Sequence, residues 1–137
     1  MGSLHWWMRI TGVFYLVQAT IAAIVRLPVR VLAPAGTLEA ADGADPVARL
    51  LVDTWILFGL EIAVVGGALI FWSRAPEQAR PLVWLVLALE LFRGIAHDLH
   101  MIGRGYDPPP FIVWVVIHLV IIATGYWALQ RSRVVTA

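Results

Sequence analysis

Residues 81–104 read PLVWLVLALELFRGIAHDLHMIGR, and the fold turns on them. The run is long and apolar enough for a membrane-spanning helix, yet it carries Glu90, Arg93, His97, Asp98 and His100. At about 100° per residue, Glu90, Arg93, His97, Met101 and Arg104 fall within roughly 80° of one another on one helical stripe. Asp98 and His100 flank that stripe. Each ionisable group in hydrocarbon costs roughly 2.5 kcal/mol or more, so the stripe is expected to face a protein interior or a wet cavity.

The rest of the chain is just as apolar. Of 137 residues, 61% are hydrophobic and 14% charged, and mean hydropathy is +0.82, far beyond a soluble domain of this size. A single membrane domain over residues 1–137 is expected. All ten basic residues are Arg, they are scattered, and the net charge is only +1, which argues against a nucleic-acid partner. With no cysteine, a disulfide, a thiolate nucleophile and a cysteine metal site are excluded. Only Arg9 precedes the first apolar run, which reaches spanning length without a small-residue cleavage site, so a cleavable signal is not expected.

Working outward, residues 8–27 form the first expected span, with Trp6 and Trp7 as interfacial anchors and Gln18 near its middle. Residues 27–44 are a long connection broken by Pro28 and Pro34. Asp45 followed by Pro46 signals a helix start near 46, with the second span at 53–72. Glu61 interrupts that span, and Gly59, Ala63 and Gly67 make a row of small residues suited to close helix approach. Residues 74–80 are short enough to force an antiparallel hairpin into the third span, 81–103. The turn GRGYDPPP at 103–110 leads to the fourth, 111–129, which contains His118. The expected fold is therefore all-α, an antiparallel bundle of four transmembrane helices.

Arg9, Arg74, Arg80, Arg131 and Arg133 fall on the side of both termini, against Arg26, Arg30, Arg49 and Arg104 opposite, which favours cytoplasmic termini. Counted inward from the outer span ends at ~1.5 Å per residue, Gln18 lies at ~15 Å, Glu61 at ~12 Å, Arg93 at ~15 Å, His97 at ~9 Å and His118 at ~12 Å. Glu90 lies deeper and Asp98 shallower. Every span thus contributes to one polar layer, and Gln18, Glu61, Glu90, Arg93, His97, Asp98 and His118 are the candidate ligand-binding residues.

Each candidate also has a structural role open to it. Glu90 and Arg93 can neutralise each other, Arg93 can pair with Glu61, and Gln18 can hydrogen-bond between helices. Glu61, His97 and His118 are the candidate catalytic groups, Glu61 or His97 as base and His118 as acid, because histidines beside carboxylates suit proton transfer. A di-metal bundle needs Glu-x-x-His twice, and Arg93 occupies the place after Glu90 where a histidine would stand. No metal is expected; the set that would hold one is His97, Asp98, His100 and His118. No phosphate-cradling glycine loop appears, and no cofactor is expected.

The segments LLVDTW at 50–55, GLE at 59–61, ELFRG at 90–94, GRGYD at 103–107 and IHLVIIATG at 117–125 resemble the BphX-like family of small bacterial membrane proteins. The resemblance spans nearly the whole chain. It implies a bacterial inner-membrane setting and, because the founding member is associated with gene clusters for breakdown of biphenyl and related aromatics, a hydrophobic or aromatic small molecule. It carries over no catalytic residue. By outline alone, the four short spans are also similar to DoxX-like proteins and to sterol isomerases of the emopamil-binding type.

Three readings follow. The first is a binding or carrier protein for a lipophilic small molecule drawn from the bilayer. The second is an isomerase-like or hydrolytic membrane enzyme working by acid and base on such a molecule. The third is an accessory subunit whose polar layer is a staple and whose small-residue row meets a membrane protein partner or a second copy.

Overall fold

In the computed structural model, residues 2–26 and 36–134 are described, and every regular element among them is helical. Helix α1 (Ser3–Thr20) runs on through a wide π-helical turn, Ile21–Val25, and ends at Arg26 in the left-handed region. A short helix α2 (Thr37–Asp42) precedes α3 (Pro46–Trp72). Helix α4 (Arg80–Leu89) continues without a break through a second π-helical turn, Glu90–Ile95, into α5 (Ala96–Gly103). Helix α6 (Pro108–Val134) completes the described chain.

Local chemistry explains the boundaries. Asp45 Oδ1 accepts the Ala48 N–H at 2.8 Å, and Pro46 takes the first helical position, where its missing N–H costs nothing. The same reasoning corrects the expected start of the last helix: Pro108, Pro109 and Pro110 occupy the first turn of α6 instead of merely preceding it. Helix α1 begins five residues earlier than residue 8, so Trp6 and Trp7 lie within it. The expected breaks at Pro28 and Pro34, together with Arg30, lie outside the described residues; α2 is an element that sequence reasoning missed.

Three helices are long and apolar enough to cross a membrane: Ser3–Ile24, Pro46–Trp72 and Pro108–Ser132. The run from Arg80 to Gly103 is not among them, because Glu90, Arg93 and Asp98 break its apolar character. Its winding still covers about 36 Å at ~1.5 Å per residue.

The chain forms two compact units. In residues 12–68, α1 packs on α3 at glycines: a Cβ on Gly59 would stand 3.2 Å from the Ala19 carbonyl, and one on Gly66 2.8 Å from the Gly12 carbonyl. Close approach therefore uses Gly59 and Gly66, two helical turns apart, whereas Gly67 of the expected row faces open space. Ala41, Ala48 and Val52 form a small core here with Leu38, Trp55 and Ile56.

The other unit, residues 1–11 and 69–137, is built on Leu4, Met8, Leu69, Val83, Val86 and Leu129, all fully buried. Polar ties pin its helices. His5 Nδ1 donates to the Ser73 carbonyl at 2.7 Å, and Trp7 Nε1 donates to Thr124 Oγ1 at 3.2 Å. At the start of α4, Arg80 donates to Ser132 Oγ (2.8 Å) and to the Leu129 carbonyl (3.2 Å), tying that helix to the end of α6.

Candidate functional site

The polar centre of the second unit described is His118, on α6, held between two carboxylates from the facing helix. Its Nδ1 donates to Glu90 Oε2 at 2.5 Å, and its Nε2 stands 3.5 Å from Asp98 Oδ2. Glu90 and Asp98 are only 5% and 7% exposed, so neither carboxylate has bulk water to solvate it. The imidazole can lie there because Gly94 has no side chain: a Cβ would fall 2.6–2.7 Å from ring atoms Nδ1, Cε1 and Cγ. Glycine at this point is thus a seat for the ring.

The π-helical turn sets the geometry. In a regular α-helix, residues eight apart point about 80° away from one another, so Glu90 and Asp98 would not share a face. The wide turn spreads more residues over its circuit and brings Glu90, Gly94 and Asp98 onto the same side, toward α6. Wide turns of this kind are frequent at functional sites.

One oxygen of Asp98 is left without a donor. His97 Nδ1 stands 3.5 Å from Asp98 Oδ1, but Oδ2 is buried and has no hydrogen-bond partner. The Trp114 ring lies 6.2 Å from the His118 ring, one turn away on α6, and forms an apolar wall beside the cluster. A separate cleft of about 250 Å³, lined by Trp6, Trp7, Ile10, Thr124 and Trp127, contains no titratable side chain. Among the described residues, no group of three or more His, Asp or Glu side chains is arranged to hold a metal ion.

Of the expected site residues, the structure brings together Glu90, His118 and Asp98, with His97 at the rim, its side chain half exposed. Arg93 is on the exposed side of the wide turn, and His100 is exposed on α5. Gln18 on α1 and Glu61 on α3 belong to residues 12–68. Sequence reasoning paired Glu90 with Arg93 and missed Gly94 and Trp114. The available signal was a glycine four residues from an acid on either side, with an aromatic four residues before the histidine.

Over residues 1–134 the sequence matches the BphX-like family. The chain belongs to the BphX-like family. Its relatives include the uncharacterized BphX-like proteins of Burkholderia cepacia and Paraburkholderia xenovorans, each 30% identical, with 89% of this chain aligned to 88% of theirs. No solved structure matches it. For a BphX-like chain, then, the arrangement of Glu90, Gly94, Asp98 and His118 is read from its own chemistry. A histidine oriented by one acid and opposed by a second can accept, hold or hand on a proton, or anchor a polar group.

Proposed function

We infer that this BphX-like protein is a four-span integral protein of the bacterial inner membrane, with cytoplasmic termini, that binds or carries a lipophilic, aromatic small molecule by its polar end. The observation that carries the reading is the unfinished hydrogen bonding at Asp98. Burying two carboxylates and an imidazole among apolar helices costs folding energy, and a purely structural staple is favoured only when every member is satisfied. Here Asp98 Oδ2 lacks a hydrogen-bond donor, which fits a group that arrives with a ligand. Exposed large apolar side chains such as Ile10, Leu60, Val64, Phe92 and Val120 suit lipid on the outer faces.

The test is native mass spectrometry of protein released gently from its own membrane. A retained lipophilic molecule, near one per chain and lost in Asp98→Ala, is the expected result. An apo mass that keeps a stoichiometric protein partner would replace this reading with an accessory-subunit role. Span number and orientation are checked by single cysteines, since the chain has none of its own. Cysteines at Ala75 and Gly105 should label from opposite sides of the membrane, with Ala75 on the cytoplasmic side; labelling from one side would remove the third span.

A second reading is favoured by the short His118–Glu90 bond. Glu90 orients the ring through Nδ1 and leaves Nε2, which faces Asp98, as the basic atom, so a bound molecule that brings an acidic C–H or O–H to it would lose its proton to His118. Turnover with a pH-dependent rate, abolished in His118→Asn while binding persists, distinguishes this from carriage alone.

A further inference from the structure

We propose that Asp98 Oδ2 and His118 Nε2 together bind a hydroxyl group, so that the ligand is a lipophilic alcohol or phenol. This rests on the ligand-binding reading above and adds the chemical class. Because Nδ1 of His118 carries its proton toward Glu90, Nε2 of the neutral ring presents a lone pair. Opposite it, 3.5 Å away, is a buried carboxylate oxygen without a donor. Two facing acceptors with no proton between them repel, and the arrangement is completed by one donor reaching both.

The remaining groups narrow the donor. His97 stands against Asp98 Oδ1, which leaves Oδ2 as the buried acceptor without a donor. Oδ2 is closed off from solvent, so a hydroxyl enters by turning the Asp98 or His118 side chain aside, and then donates at about 2.7–2.8 Å. An ammonium would also donate, but as a cation it leaves water for hydrocarbon at far greater cost than an alcohol. An ether or hydrocarbon brings no donor and would leave Oδ2 as it is. The Trp114 ring beside His118 gives an aromatic body a flat surface to lie on.

The experiment uses the full chain in nanodiscs and three probes that share one apolar tail: para-heptylphenol, its methyl ether para-heptylanisole, and para-heptylbenzylamine. Binding is measured by calorimetry, corrected for partition into empty nanodiscs. The phenol should bind about tenfold or more tightly than the ether, the ratio for one hydrogen bond to a charged acceptor. In Asp98→Ala the phenol should fall to the affinity of the ether, with helix content unchanged; if that variant does not fold, the wild-type ratio decides alone. Equal binding of phenol and ether overturns the hydroxyl assignment while leaving a lipophilic site in place. Tighter binding of the amine overturns it in favour of a cation site. Failure of all three to bind overturns both the assignment and the ligand-binding reading on which it rests.

Discussion

Replacing Gly94 by alanine tests the seat of the His118 ring directly. An added methyl would lie 2.6–2.7 Å from three ring atoms, whereas ordinary contact begins near 3.4 Å, so ring or helix must yield by roughly 0.8 Å. Yielding has a known cost: overpacking of this kind destabilises by about 1–3 kcal/mol, and loosening the bond to buried Glu90 adds about 1–3 kcal/mol. Against this, alanine improves helix propensity by about 1 kcal/mol. The expected net loss is about 1–5 kcal/mol. Gly67→Ala supplies the control, since nothing lies within 4 Å of its added methyl and only the propensity gain of up to about 1 kcal/mol remains. Both variants are compared by equilibrium unfolding in the same lipid or detergent, alongside Gly94→Ala combined with His118→Ala. The double variant should recover part of the loss. If Gly94→Ala is as stable as Gly67→Ala, the ring is not seated on Gly94 and the site as described is wrong.

Other outcomes follow from the same contacts. Glu90→Leu takes the acceptor from the His118 Nδ1–H and should cost about 1–3 kcal/mol in unfolding free energy, while Glu90→Gln, which keeps an acceptor, should cost less. Gly125→Ala drives a methyl to 2.6 Å from the Trp7 indole and 2.8 Å from Leu87, so thermal unfolding should fall by an amount equivalent to about 1–3 kcal/mol. Arg80→Ala releases Ser132 Oγ and the Leu129 carbonyl; a loss of about 1–2 kcal/mol, with faster amide exchange at the end of α6, is expected. Gly105→Ala forces a side chain into the left-handed region at φ 89° and should cost about 1 kcal/mol, with no change in the His118 environment seen by NMR.

Hydrophobic length made most of the helices legible in the sequence, because long apolar runs leave few alternatives. Asp45 and Pro46 placed the start of α3 correctly, since capping chemistry is local. Two things escaped. The small-residue row on α3 was read at four-residue spacing from Gly59, yet the contact recurs at Gly66, because the partner helix returns to the same face after two full turns. The cluster around His118 was half visible: Glu90, Asp98 and His118 were candidates, but uniform α-helical phase put Glu90 with Arg93 and His97. Nothing in the local propensities of ELFRGI marks it as π-helical.

That wide turn also makes the effect of a length change between Glu90 and Asp98 depend on its sign. Deleting one residue from Glu90–Ile95 would relax the backbone to ordinary winding with the two acids seven residues apart, about 20° from each other, so Asp98 would stay on the face that meets His118. An insertion, with the turn already widened, would swing Asp98 round by about 100° and off that face. Along this helix substitutions can be absorbed at exposed positions such as Leu91 or Phe92, and the wide turn is slack already taken up: one residue fewer leaves the two acids in phase, and one more does not.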